Sequence, residues 1–205
     1  MKILGLGHYS RTGKDSLANS IRSYACAMGE IKVKKISFAW KLKQIAYELY
    51  GWAGLREPEF YDTKAGEGHR DLAVRAVGKT PIEIWCDLGM KMREICPSTW
   101  VDYVLQTDHD CDLLIIPDVR FPNEVKAVKE MGGRLVKVVR EGYGPRDTDA
   151  DQALVGWDGW DIVAGPTLKD LHLTAREIHE WAAGHCQFPS QTTAERNHLL
   201  ELEEL

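Results

Sequence analysis

Apolar positions along the chain follow two periods, and their succession predicts strands and helices in turn. Residues 2–7 form a short apolar run that reads as a strand. From 14 to 28 the spacing becomes helical, with Leu17, Ile21, Tyr24, Ala25 and Met28 on one face and Gly29 as the stop. Residues 31–37 alternate apolar and polar, the period of a strand with one wet face. Leu42, Ile45, Ala46 and Leu49 then line a second helix, with Trp40, Lys41 and Lys43 in its first turns. Cations there oppose the helix dipole, so Lys41 or Lys43 either faces an anion or is simply solvated. Residues 51–80 carry glycines, Pro58 and mixed charge without a period. Thr80-Pro81-Ile82-Glu83 combines a cap, a first-turn proline and a capping-box acid, and predicts a helix to about Cys96. A further helix begins at Pro97-Ser98 and carries Trp100, Val101, Val104 and Leu105.

The second half is more regular. Leu113–Ile116 is a continuous apolar run, as in a parallel strand buried on both faces, and Pro117 is expected at its end because it cannot donate to a ladder. Pro122 to Met131 reads as a helix stopped by Gly132-Gly133, and Leu135–Val139 as a strand ending at Arg140. Residues 141–156 are polar and suit a flap. Trp160–Ala164 is a last short strand, and Thr167-Leu168-Lys169-Asp170 caps a helix to about Ala183. The order predicts an α/β fold: a five-stranded parallel sheet with helices on both faces. One domain is expected over 1–186, with a helical insertion at about 51–107 and a flap at about 141–156. The polar tail at 187–205, with Leu199, Leu200, Leu202 and Leu205 among glutamates, reads either as an association helix, and so a homodimer, or as a disordered end.

Composition narrows the class. An apolar fraction of 44% over 205 residues suits a globular chain with a real core, and no run reaches the roughly 18 apolar residues of a transmembrane helix. The first residues enter a strand at once, without a signal peptide, so a cytoplasmic location is expected. Five widely spaced cysteines without a Cys-x-x-Cys read as free thiols. His109-Asp110-Cys111-Asp112 looks metal-like but reads as a solvated loop before a strand. A net charge of −5 speaks weakly against nucleic acid as a partner, the lack of a transmembrane run against a membrane, and the charge still allows a small anionic substrate held by a local cluster of Arg and Lys.

The candidate chemistry begins where the first strand meets the first helix. His8-Tyr9-Ser10-Arg11-Thr12-Gly13-Lys14-Asp15-Ser16 places a tight polar loop and Gly-Lys between them, the context of a phosphate-binding loop. Backbone N–H groups and a helix N-terminus favour an anion, Gly13 permits close approach, and Lys14 can reach phosphate oxygens. The spacing departs from the standard motif: His8 holds the first-Gly position, and Asp15 precedes the hydroxyl of Ser16. Asp118 and Arg120 follow the apolar run at 113–116, at the carboxyl edge of the sheet where α/β ligands bind, and Arg140 reaches the same edge after the next strand.

Four segments together resemble the bacteriophage-type deoxynucleoside monophosphate kinases, a branch of the P-loop kinases. They are Arg11-Thr12-Gly13-Lys14-Asp15-Ser16; Ser37-Phe38-Ala39 with Leu42-Lys43; Gly78-Lys79-Thr80-Pro81 with Leu88-Gly89 and Trp100-Val101; and Pro117-Asp118-Val119-Arg120-Phe121-Pro122-Asn123-Glu124 with Met131-Gly132-Gly133 and Val138-Val139-Arg140. The resemblance implies ATP and Mg²⁺ as cofactors, a P-loop kinase fold, and phosphoryl transfer to a deoxynucleoside monophosphate, in a host cytoplasm for a phage-encoded protein. It implies that residues 10–16 hold the donor phosphates and that Lys14, Arg120, Arg140 and Asp118 carry the chemistry, with Arg11 and Arg146 as further cations. Asp15, Ser16 and Asp118 would hold Mg²⁺ directly or through water. The acceptor would meet Phe38, Lys43, Trp85, Leu88, Arg93, Trp100 and Arg120; the aromatic and apolar members would serve equally as core. The chain departs from the family pattern at Ile82, Glu83 and Met90, and in Asp147-Thr148-Asp149-Ala150-Asp151-Gln152. Two alternatives stay open: a P-loop kinase for another small phosphorylated acceptor, and a nucleotide-binding protein without turnover.

Overall fold

Strand β1 (Lys2–Gly7) lies at the centre of a five-stranded sheet. The other strands are β2 (Val33–Lys35), β3 (Leu113–Val119), β4 (Arg134–Val138) and β5 (Ile162–Ala164), and the order across the sheet is β2-β3-β1-β4-β5. Every pairing is parallel. This is the expected α/β architecture, consistent with a P-loop kinase fold. The computed structural model describes residues 1–165 and 167–189. By packing, the chain forms two units: Met1–Ser37 with the described residues from Asp108 onward, and Phe38–Thr107.

The first unit is built on strand alternation. Leu4 and Leu6 of β1, Leu113 and Ile115 of β3, Val136 and Val138 of β4, and Ile162 and Ala164 of β5 all join one core cluster. It is closed by helix α1 (Lys14–Met28), through Leu17, Ala18 and Ile21, and by a long C-terminal helix at Leu168–Ala183, through Leu171, Ala175 and Ile178. Odd-numbered positions of β1 and even ones of β3 point the other way, and a helix at Pro122–Glu130 packs on β1 and β4. Thus both faces of the sheet are covered, which is why its strands read as unbroken apolar runs.

Strand β4 is shifted by one residue from the sequence expectation, and β2, β3 and β5 differ by two or more at one end or both, with local causes. Pro117 lies inside β3 rather than after it. The β1–β3 register runs Gly5 to Ile116 and then Gly7 to Val119, so two residues of β3 oppose one of β1. Pro117 and Asp118 occupy this bulge, where a missing N–H costs no ladder bond. Strand β2 is shorter than 31–37 because the Asp112 carboxylate accepts the Lys32 N–H at 2.8 Å, ahead of the ladder. Strand β5 begins at Ile162 because Asp161 turns its carboxylate onto the Leu135 N–H at 2.7 Å, while Trp160 folds over Gly7.

The second unit is helical, with α2 (Trp40–Tyr50), a single turn α3 (Lys64–Glu67), α4 (Pro81–Ile95) and α5 (Thr99–Gln106). The capping box forms as read: Thr80 Oγ1 accepts the Glu83 N–H at 3.2 Å, and Glu83 accepts the Thr80 N–H at 2.7 Å. Residues 51–80, which showed no period, hold short 3-10 turns and α3. They pack Leu55, Tyr61 and Val74 with Ala46 and Ile84 into a second core. The remaining first-unit helices are α6 (the Pro122–Glu130 helix), α7 (Asp149–Gln152) and α8 (Leu168–Ala183). The tail from 190 onward lies outside the described residues.

A Cβ on Gly7 would stand 2.2 Å from Trp160 Cη2 and 3.1 Å from the Val119 carbonyl. A bulky ring and a backbone atom cannot both yield cheaply. Gly7→Ala is therefore expected to cost about 1–3 kcal/mol, read as a lower urea midpoint with unchanged slope.

Candidate functional site

The site starts from the way β1 ends. Between Gly7 and Lys14 the backbone enters the left-handed region three times, at His8 (φ 95°), Arg11 (φ 63°) and Gly13 (φ 104°). Such reversals turn successive N–H groups toward a common side and make a concave anion site. Gly13 adopts its conformation without penalty and, lacking a side chain, leaves the N-terminus of α1 uncapped. His8 and Arg11 are held there at a cost of roughly 1–2 kcal/mol each. The left-handed φ of His8 explains why a phosphate loop ordinarily begins with glycine at this place.

Lys14, the first residue of α1, is only 6% exposed. Its ammonium donates to the His8 carbonyl at 3.1 Å and to the Tyr9 carbonyl. Thr12 is also buried and donates to the Tyr9 carbonyl at 3.1 Å, so the loop is folded around its own lysine. Burial, and then the neighbouring Arg120 guanidinium, pull the Lys14 pKa down to about 8, against the charges of Asp151, Asp15 and Asp118. Burial also pushes His8 down to about 4, helped by Lys137 and Lys14. His8 is thus neutral at physiological pH.

Arg120 follows β3 directly. Glu124, 3% exposed in the first turn of α6, accepts the Arg120 N–H at 2.7 Å and the Phe121 N–H at 3.1 Å. This fixes the turn that aims Arg120. Its Nη1 donates to Ser10 Oγ at 3.2 Å and to Asp151 Oδ1 at 3.1 Å. Asp151 comes from α7, in the segment between β4 and β5, and its side chain is fully buried. Besides Arg120 it accepts Ser10 Oγ–H at 3.2 Å, Ser10 N–H at 3.5 Å and Arg146 N–H at 3.3 Å.

Among the sequence candidates, the structure brings together Ser10, Thr12, Gly13, Lys14 and Arg120, and places Asp118 in the β3 bulge where its charge acts on Lys14. Asp15 points to β2, its carboxylate 3.0 Å from Lys35 Nζ. Arg11 and Ser16 are exposed on the outside of the turn. Arg140 lies just past β4, its guanidinium 4.5 Å from the Tyr143 ring. Sequence reasoning missed Asp151 and the positioning role of Glu124. The signal for Asp151 was Thr148-x-x-Asp151, a cap spacing in which Thr148 Oγ1 accepts the Asp151 N–H at 3.3 Å.

The acceptor candidates Phe38, Lys43, Trp85, Leu88, Arg93 and Trp100 all belong to the second unit. Phe38 and Trp100 are 2% and 3% exposed, and Trp100 Nε1 donates to the Gly89 carbonyl at 3.3 Å, so both are core. Lys43 Nζ stands 5.1 Å over the Trp85 ring, which meets Tyr61 edge-on at 5.0 Å, and Leu88 packs beside them. Trp85 Nε1 is buried and finds no hydrogen-bond acceptor among the described residues. Among those residues no helix is long and apolar enough to cross a membrane.

Comparison with known proteins adds a partial likeness. No family model matches the chain. Over 63 residues it is 38% identical to a protein of Acanthamoeba polyphaga mimivirus named "Putative deoxynucleotide monophosphate kinase". The match takes 30% of this chain and 32% of that protein, so the chain spans about a third of the relative it matches.

The depressed Lys14 pKa has a sign that can be checked. Between pH 8 and 10 the unfolded chain keeps a proton that folded Lys14 has lost, so stability rises with pH on its account. Wild type should gain about 2 kcal/mol on Lys14→Met between those pH values in urea unfolding.

Proposed function

We propose that the chain is an ATP-dependent kinase that transfers the γ-phosphoryl group to a deoxynucleoside monophosphate, giving the diphosphate and ADP. The observation that carries this is the buried Lys14 at the start of an uncapped helix, inside a loop with three left-handed residues, with Arg120 3.2 Å from that loop's Ser10. A buried ammonium, a permanent guanidinium and a concave backbone are what phosphoryl transfer needs, since its catalysis is mostly positioning and charge neutralisation. The partial likeness to a protein carrying a nucleotide kinase's name supports the same class.

The donor phosphates would lie on residues 10–16. Lys14 would swing its ammonium from the His8 and Tyr9 carbonyls to the β- and γ-phosphates, and Arg120 would spread its planar fork over the transferring group. Arg140, just past the end of the neighbouring strand, would act as the second clamp. Mg²⁺ takes one or two carboxylates together with phosphate oxygens and water, and Asp118 beside Lys14 fits that demand; Asp15, turned to Lys35, and the exposed Ser16 would reach it only through water. When bound it would neutralise charge on the β- and γ-phosphates. Within the second unit, the Lys43–Trp85 pair, Leu88 and Arg93 would meet the acceptor, with the orphaned Trp85 N–H suited to a carbonyl or phosphate oxygen. Phe38 and Trp100 would act as packing within that unit.

A nucleotide-binding protein without turnover is the second reading. It is favoured by His8 at the first-Gly position and by the Asp151 carboxylate seated on Ser10 and Arg120.

The deciding experiment is acceptor-dependent ADP formation with ATP and Mg²⁺. It covers the four common deoxynucleoside monophosphates, their ribo counterparts and a no-acceptor control. ADP release that requires a deoxynucleoside monophosphate and falls at least about 100-fold in Lys14→Ala is the expected result. ATP binding without stimulation by any of these acceptors would contradict it, leaving a different phosphorylated acceptor or the binding protein.

A further inference from the structure

The contacts of Asp151 are those a phosphate oxygen would make. Its carboxylate takes the backbone N–H and hydroxyl of Ser10, in the middle of the loop, and one arm of Arg120, which stands over that loop. Its side chain has no solvent contact, so the groups around it are all it has. The remaining partner, the Arg146 N–H, belongs to its own segment, and Gln152 Nε2 ties that segment further by donating to the Arg146 carbonyl at 2.9 Å. One residue thereby fastens 146–152 onto the anion-binding loop. Lys14 is likewise turned inward, on the His8 and Tyr9 carbonyls, so its ammonium too is held within the chain.

We propose that Asp151 is an internal stand-in for a phosphate group: its carboxylate fills the anion position on Ser10 and Arg120, and an incoming phosphate must displace it, releasing the 146–152 segment. This rests on the phosphate-loop reading of residues 8–14 but not on any acceptor or on turnover. The chemistry favours exchange in that direction. A carboxylate carries one charge and two oxygens, whereas a phosphate chain brings several of each to the same donors and to Lys14. Because those contacts must first break, apparent affinity falls to the fraction of molecules in which the site stands open.

The probe is tripolyphosphate, without nucleotide, metal ion or acceptor. It is titrated calorimetrically into wild type, Asp151→Asn and Lys14→Ala. Asp151→Asn keeps the shape and removes the charge, and Asp151→Ser serves as a second variant should the first fail to fold. The stand-in predicts at least tenfold tighter binding in the Asp151 variant and loss of binding in Lys14→Ala. A second readout reports displacement itself: tryptic cleavage after Arg146, mapped by mass spectrometry against cleavage at the chain's other basic residues. Tripolyphosphate should accelerate that cut in wild type, and in Asp151→Asn the cut should be fast without it. Unchanged or weaker binding in both Asp151 variants, with Lys14→Ala impaired, would overturn the stand-in and leave Asp151 a fastener of the loop. Tighter binding with the Arg146 site still protected would also overturn it, because displacement would not have occurred. Failure of wild type and the Asp151 variants alike to bind would overturn the phosphate-loop reading itself.

Discussion

The site depends on one strand being held on every side. Strand β1 pairs with β3 and β4 along both edges and packs apolar residues above and below. Its carboxyl end therefore cannot shift, and the chain leaving Gly7 must turn within the few residues before Lys14. Trp160 on one side and the Val119 carbonyl on the other leave no room for a side chain at Gly7. The turn is bought with three left-handed residues, two of them not glycine, and that strain persists only because the strand before it and the helix after it are fixed by the core. The same rigidity makes Lys14 a buried cation at a defined point rather than a solvated lysine on a loop.

Electrostatics then explains the arrangement around the loop. Lys14 and Arg120 are like charges brought close at low exposure, and burial alone would drive the ammonium toward its neutral form. Loop carbonyls, Asp118 and above all the buried Asp151 offset this. The site is a positive cluster balanced from within, which is the state expected of a phosphate site whose ligand can exchange with an internal carboxylate. Glu124 contributes from a distance by tying the main chain of Arg120, so the block from Pro117 to Glu124 works as one device: a bulge, a cation and a carboxylate clamp.

Much of this was legible in the chain. Helices with strong local signals were placed closely, because caps and apolar periodicity are set by neighbours in sequence: Lys14–Met28 and the helices after Thr80 and Thr167 are examples. Long-range choices were not. Pro117 reads as a strand end because a proline breaks a ladder, and only the register against β1 reveals that a bulge absorbs it. The carboxylates of Asp112 and Asp161 shorten β2 and β5 by taking N–H groups that the apolar pattern assigned to strands. Asp147, Asp149 and Asp151 look alike in sequence; which one is buried is decided by Ser10 and Arg120, more than a hundred and about thirty residues away. Phe38 and Trp100 illustrate the converse, since an aromatic suited to a base is equally suited to a core.

The central claim is that residues 8–16 form an anion cradle. The most direct measurement is the amide chemical-shift response of the ¹⁵N-labelled chain to ADP, with and without Mg²⁺. The account predicts that the largest and saturable shifts fall on Ser10, Gly13, Lys14 and Asp15, with Arg120 and Asp151 responding together with them. Saturable binding whose shifts leave residues 8–16 unmoved would contradict it.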